Sequence, residues 1–150
     1  MPDKMILIVE DDPDDEALTL RALKQNNIVN DIVVARDGAE ALDYLFASGT
    51  YTGRDLNIMP QIILLDLKLP KIDGLEVLRR LRTDERTKRL PVVILTSSNE
   101  ESDVVNSYVS GANSYVRKPI VFQEFLDTVR QVGTYWVQLN EAPPPLRRNT

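Results

Sequence analysis

The chain has 150 residues, 43% of them hydrophobic and 27% charged, a globular composition long enough to bury one core without disulfide or metal staples. It contains no cysteine and no histidine, which excludes disulfides, zinc–thiolate sites, thiol nucleophiles, Ser-His triads and imidazole bases. A formal net charge of −5 opposes bulk attraction to nucleic acid or anionic membrane, so chemistry falls to carboxylates, hydroxyls, lysine and a hard metal ion.

Met5-Ile6-Leu7-Ile8-Val9 is a continuous apolar run of strand length. Pro13, at ease in a first helical turn, opens a helix in which Leu18, Ala22 and Leu23 recur at helical spacing. Ile32-Val33-Val34-Ala35 is the second strand, and Asp37 is placed to cap a helix carrying Leu42, Leu45 and Phe46. Residues 48–60 form a connection longer than most in α/β domains. Ile62-Ile63-Leu64-Leu65 is the third strand, with Asp73-Gly74 leading into a helix marked by Leu75, Leu78 and Leu81. The basic run Arg79, Arg80, Arg82, Arg86, Lys88 and Arg89 reads as a solvated helix end and loop.

Val92-Val93-Ile94-Leu95 is the fourth strand, followed by a helix opened by Ser98 or Asn99 and marked by Val104, Val105, Tyr108 and Val109. Ser114-Tyr115-Val116 is a shorter fifth strand, and Phe125, Val129, Val132 and Trp136 mark a fifth helix. Residues 1–141 are expected to form one domain. Ala142-Pro143-Pro144-Pro145 stops the last helix, and residues 142–150 are expected to be a disordered tail with no effector domain beyond it. No stretch reaches membrane-spanning length and no signal-peptide core is present, so a soluble cytoplasmic protein is expected. Strands apolar at every position are buried on both faces, and their alternation with helices calls for a doubly wound (βα)5 parallel sheet.

In such a sheet ligands sit outside the carboxyl ends of the strands. Strand one ends in Glu10-Asp11-Asp12, strand three in Asp66 and strand four in Thr96-Ser97, and strand five is followed by Lys118-Pro119. Clustered carboxylates repel one another unless a divalent cation lies among them, and oxygen donors suit Mg²⁺ or Mn²⁺. Asp66 can then act as a nucleophile toward phosphorus, with the cation and Lys118 neutralising charge and Thr96 bonding a phosphoryl oxygen. Six of the seven residues 10–16 are acidic. For Asp14, Asp15 and Glu16 a solvated helix start is reading enough. An EF-hand is excluded because the loop lacks the glycine at its sixth position.

The set Glu10-Asp11, Asp66, Thr96 and Lys118-Pro119, with Ile-Leu-Ile-Val-Glu-Asp-Asp-Pro at 6–13, Leu-Leu-Asp-Leu-Lys-Leu-Pro at 64–70 and Val-Ile-Leu-Thr-Ser at 93–97, resembles the receiver domain of two-component response regulators. The resemblance covers residues 4–140. It implies a flavodoxin-like, CheY-like fold of strand order 2-1-3-4-5. It also implies Asp66 as phosphoacceptor, Asp11 and Glu10 as ligands of Mg²⁺ or Mn²⁺ with the Lys68 carbonyl as a third protein ligand, and Thr96 and Lys118 as phosphoryl contacts. Tyr115 matches the aromatic switch position, whose inward movement remodels the face made by the fourth helix, fifth strand and fifth helix. The Lys118-Pro119 bond is expected to be cis. Lys68 and Ser98, each two residues past a site residue, occupy positions that tune dephosphorylation.

The long loop at 48–60 and the last helix ending Thr-Tyr-Trp-Val at 134–137 look like the branch of single-domain receivers that includes response regulators of cyanobacterial phytochromes. That implies a phytochrome-type sensor histidine kinase as donor and a homodimer through the α4-β5-α5 face, with Tyr135 and Trp136 as interface candidates. The expected activity is phosphoacceptance with self-catalysed phosphotransfer and autodephosphorylation, not turnover of a free substrate. A haloacid-dehalogenase-type phosphatase is disfavoured because Asp66-Leu67-Lys68 lacks the second acid of Asp-x-Asp. A phosphorylation-independent interaction module of the same fold is the remaining alternative.

Overall fold

The computed structural model describes residues 5–25 and 31–144. Five strands and five helices alternate: β1 (Met5–Val9), α1 (Pro13–Gln25), β2 (Asp31–Ala35), α2 (Gly38–Phe46), β3 (Ile62–Leu65), α3 (Gly74–Thr83), β4 (Val92–Thr96), α4 (Glu101–Val109), β5 (Ser114–Arg117) and α5 (Phe122–Gly133). The strands form one sheet in the order β2-β1-β3-β4-β5, every pair parallel. This is the expected doubly wound architecture.

Alternation along the strands divides the core. Met5, Leu7, Val9, Ile63, Leu65 and Ile94 face α2 and α3, meeting Ala41, Leu42, Leu45, Val77, Leu78 and Leu81. Ile6, Ile8, Ile62, Leu64, Val93 and Leu95 face α1 and α5, meeting Ala22, Leu23, Phe125, Leu126 and Val129. β1, β3 and β4 are buried at every position, whereas the edge strand β2 is only half covered. Each fully buried Leu or Ile stabilises the fold by about 1.5–3 kcal/mol relative to exposure.

The helix signals act as expected at three starts. Pro13 is the first residue of α1. Asp37 accepts from the Glu40 N–H at the start of α2, and Asp73 accepts from the Glu76 N–H at the start of α3. α4 begins later than the Ser98 or Asn99 opening, at Glu101 after Glu100, which makes no side-chain cap. The Ser98 hydroxyl is turned instead to Asp103 within the helix. Of the apolar residues that marked α4, Val105, Tyr108 and Val109 face outward, 52%, 51% and 81% exposed, while Val104 is half-buried and Ser107 is the helix's buried residue.

The long connection after α2 contains a 3-10 turn, Gly49–Tyr51. It is tied down by Arg54, whose guanidinium donates to the Tyr44 carbonyl at 2.6 Å and the Ile58 carbonyl at 2.6 Å and lies 4.1 Å from the Tyr44 ring centre. α5 continues into a π-helical segment, Thr134–Leu139. There Val137 is buried and Trp136 packs against the α1–α5 side of the core, while Tyr135 stays 49% exposed. Of the expected tail, residues 142–144 are described and 145–150 lie outside the described residues.

Candidate functional site

The strand order reverses between β1 and β3, and the crevice at their carboxyl ends receives the residues that follow each strand. The ladders run one residue past the strands. The Glu10 N–H donates to the Ala35 carbonyl at 2.9 Å and the Asp66 N–H to the Val9 carbonyl at 3.1 Å. Glu10 and Asp66 are therefore held by backbone bonds with their side chains at the crevice floor, 4% and 7% exposed. Thr96 closes β4 fully buried. The Lys118 N–H donates to the Thr96 carbonyl at 2.7 Å, which carries the lysine across from the end of β5.

The Lys118 ammonium reaches over this floor. It donates to Asp66 Oδ2 at 2.7 Å, to Asp15 Oδ2 at 2.9 Å and to Glu10 Oε1. Burial alone would lower its pKa, but the bonds to Asp15, Asp66 and Glu10 outweigh burial and raise it, so the lysine stays charged. Glu10 is pushed up to about 8, chiefly because burial penalises its charged form; Lys118 opposes this, and the Asp66 charge adds to it. Three carboxylates, Glu10, Asp15 and Asp66, share this one ammonium. Glu10, Asp11 and Asp66 each offer a carboxylate oxygen within 4.8 Å of the others, a donor set of hard oxygens that fits a divalent cation.

A second network runs from the site toward α4. The Ser98 N–H approaches Thr96 Oγ1 at 3.4 Å, the Tyr115 hydroxyl donates to the Ser98 carbonyl at 3.0 Å, and the Ser98 hydroxyl donates to Asp103 Oδ2 at 2.5 Å. Asp103 also faces the Lys68 ammonium at 4.0 Å. Asp11, Lys68, Asp73 and Asp103, with Leu67, Leu69, Pro70 and Leu75, line an open groove of about 470 Å³ beside the carboxylates. The loop that forms one wall is fixed by bonds from the Lys68 N–H to Asp66 Oδ1 at 3.3 Å and from the Gly74 N–H to the Leu67 carbonyl at 2.9 Å.

The structure brings Glu10, Asp11, Asp66 and Lys118 together, with Thr96 on the adjoining strand end and Tyr115 behind it. Two expectations change. Among the described residues no peptide bond is cis, so Lys118-Pro119 is trans. Trans is the lower-energy isomer of an X–Pro bond, and the backbone bond to Thr96 with the long lysine stem already delivers the ammonium to Asp66. Asp15, read from sequence as part of a solvated helix start, holds Lys118 instead. Its position carried a signal: it stands four residues before Thr19 and eight before Leu23, both buried, on the stripe of α1 that faces the sheet. Its neighbours keep ordinary roles. Asp14 is exposed, and Glu16 pairs with Arg36 at 3.0 Å.

The family model for the response regulator receiver domain matches residues 6–130. The response regulator Rcp1 of Synechocystis sp. (strain ATCC 27184 / PCC 6803 / Kazusa) is 37% identical over 142 residues, covering 95% of this chain and 95% of that protein. The Mn²⁺-bound form of Rcp1 superposes with a TM-score of 0.87 at 36% identity, covering 93% of this chain and 99% of that one. The phosphorylated cyanobacterial phytochrome response regulator RcpA gives a TM-score of 0.88 at 36% identity, covering 95% and 99% of the two chains. The bacteriophytochrome response regulator RtBRR gives 0.74 at 51% identity, covering 94% and 84%.

Proposed function

The chain belongs to the response regulator receiver family and acts as a phosphorelay response regulator, and from that premise we propose that Asp66 is its phosphoacceptor. The observation that carries this reading is the Lys118 ammonium, 2.7 Å from Asp66 Oδ2, in a pocket where Glu10 and Asp11 sit within shared-ligand distance of the same carboxylate. An Asp66 carboxylate oxygen attacks phosphorus, and the bond from phosphorus to the donor breaks with its electron pair leaving on the donor. The product is an acyl phosphate on Asp66. The chain holds no histidine, so a donor phosphohistidine belongs to a separate domain or molecule. A sensor histidine kinase of phytochrome type is the donor favoured by the relatives' own descriptions.

Glu10, Asp11 and Asp66, with the Lys68 backbone carbonyl, are the groups that would hold Mg²⁺ or Mn²⁺. A bound divalent ion would supply charge neutralisation for the phosphoryl oxygens. Lys118 contributes a second, fixed positive charge, and the Thr96 hydroxyl donates to a phosphoryl oxygen. Turning Thr96 toward that oxygen draws on the Ser98 N–H it now accepts and, through Ser98, on Tyr115 and α4.

That route leads to the α4-β5-α5 face, where Val105, Tyr108 and Val109 form an outward apolar stripe. A homodimer through this face is the output we favour, with Tyr135 and Trp136 at its edge. Self-catalysed gain and loss of the phosphoryl group is the only chemistry this reading assigns. A cytoplasmic setting fits a chain without cysteine in which no described helix is long and apolar enough to cross a membrane.

The test is labelling by acetyl phosphate with and without Mg²⁺, beside Asp66→Asn, with light scattering on the same samples. Labelling that depends on Mg²⁺, survives acid, is lost in base and is absent from Asp66→Asn is the expected result. A wild-type protein that stays unlabelled with active donor would overturn the phosphoacceptor reading.

A further inference from the structure

We propose that Asp15 is a positioning residue that keeps the Lys118 ammonium over Asp66 when a divalent cation engages the neighbouring carboxylates; this rests on the phosphoacceptor reading above. A lysine ammonium has three protons to donate, and here three carboxylates take them: Glu10, Asp15 at 2.9 Å and Asp66 at 2.7 Å. Two of these acceptors, Glu10 and Asp66, belong to the three-carboxylate cluster that fits a cation. A dication there competes for the same lone pairs and repels the ammonium. Held by those two alone, the flexible lysine stem would swing away from the site.

Asp15 lies outside that cluster, so its bond to Lys118 does not compete with the ion. It is also a firm anchor. Its N–H donates to Asp12 Oδ1 at 3.3 Å, its carbonyl accepts from the Thr19 hydroxyl at 2.8 Å, and both bonds hold the first turn of α1 together. The Lys118 side chain is 6% exposed and that of Asp15 28%, so the pair is shielded on the lysine side and open on the other. Removing the Asp15 carboxylate therefore frees Lys118 without opening a hole in the core.

The test reads Lys118 directly. In a lysine side-chain ¹⁵N–¹H correlation spectrum an ammonium held by hydrogen bonds away from water gives a resolved signal, whereas a solvated one exchanges away. The wild type should show one such signal, identified by its loss in Lys118→Arg, and keep it when Mg²⁺ is added. Asp15→Ala should lose it in Mg²⁺, and Asp15→Glu should restore it. A Lys118 signal that persists in Asp15→Ala with Mg²⁺ overturns the proposal. So does loss of the signal in wild type on adding Mg²⁺.

Labelling by acetyl phosphate at saturating Mg²⁺ gives the kinetic readout. Asp15→Ala should slow it about tenfold, the scale of one charge-assisted hydrogen bond, and Asp15→Glu should recover most of the rate. In a Lys118→Met background Asp15→Ala should add nothing, and a further equal loss there would overturn the assignment. Asp15→Asn, which keeps an acceptor oxygen but no charge, covers the case in which the alanine variant does not fold. If wild type shows the Lys118 signals as expected and yet is never labelled, Asp15 still positions the lysine and the phosphoacceptor reading is what fails.

Discussion

The Tyr115 hydroxyl donates to the Ser98 carbonyl across 3.0 Å, which joins the fifth strand to the loop that follows Thr96. The ring itself packs against the α2–α3 side of the core, so the residue has a packing half and a signalling half. Tyr115→Phe removes only the second. It should cost about 0.5–1 kcal/mol of stability, the net worth of one neutral hydrogen bond. The labelling rate of Asp66 should stay the same. The change in assembly on phosphorylation should weaken, read as a smaller mass shift in light scattering. An assembly response equal to wild type would take Tyr115 out of the output route.

Gly74 guards the geometry of Asp66 from behind. A Cβ built on it would lie 2.2 Å from the Asp66 carbonyl oxygen and 2.8 Å from the Leu67 Cα. Both are backbone atoms, so no side chain can rotate out of the way. Gly74→Ala should therefore move the β3–α3 junction, destabilise the fold by about 1–3 kcal/mol as overpacking does, and slow labelling of Asp66. Gly53→Ala is the control. Its φ of +92° strains an alanine, but nothing lies within 4 Å of its Cβ. It should cost about 1 kcal/mol and leave labelling untouched. Equal kinetics in the two variants would refute the steric account.

Lys68 stands at the mouth of the groove, 72% exposed, with its ammonium 4.0 Å from Asp103. An exposed pair at that distance contributes little to stability. Its side chain does line the groove beside the carboxylates, and its backbone N–H donates to Asp66 Oδ1 at 3.3 Å. Lys68→Asn should leave the melting temperature in place and labelling intact while shortening the acyl-phosphate half-life about fivefold, which corresponds to about 1 kcal/mol in the hydrolysis barrier. Decay of labelled protein after removal of donor measures it, and an unchanged half-life would end the idea.

The centre of the sheet was legible because β1 and β3 are runs of apolar residues with the next residue polar and part of the site: Val9 before Glu10, Leu65 before Asp66. Burial on both faces leaves such runs little other meaning. The site was legible for the same reason, since strand ends fix where those side chains go. What escaped was decided by tertiary contacts. Asp15 looked like one acid among six because local charge alone favours acids at a helix start; only the packing of α1 on the sheet turns it toward Lys118. The α4 residues Val105, Tyr108 and Val109 have helical spacing, and spacing cannot say which face is covered. The Lys118-Pro119 bond is trans and the lysine still reaches Asp66, which no sequence pattern records.

Stability and chemistry should separate at Arg82. From α3 its guanidinium donates to the carbonyls of Gly111 at 2.9 Å, Leu90 at 2.8 Å and Lys88 at 3.1 Å, and to Asn113 Oδ1 at 2.9 Å. Asn113 Oδ1 in turn accepts from the Val92 N–H at 2.8 Å. These contacts fasten the segments that enter β4 and β5, at the opposite ends of the strands from Thr96 and Lys118. Burial lowers the pKa of Arg82, so part of its attraction is offset by lost hydration. Arg82→Met keeps the apolar stem and strands three carbonyls. It should lower the unfolding free energy by about 2–3 kcal/mol, seen as a lower urea midpoint with an unchanged slope. At 25 °C, where the variant remains folded, Asp66 should be labelled at the wild-type rate. A slower rate there would mean that the entrance of β4 and β5 communicates with the carboxyl ends of the strands, and the division between scaffold and site would fail.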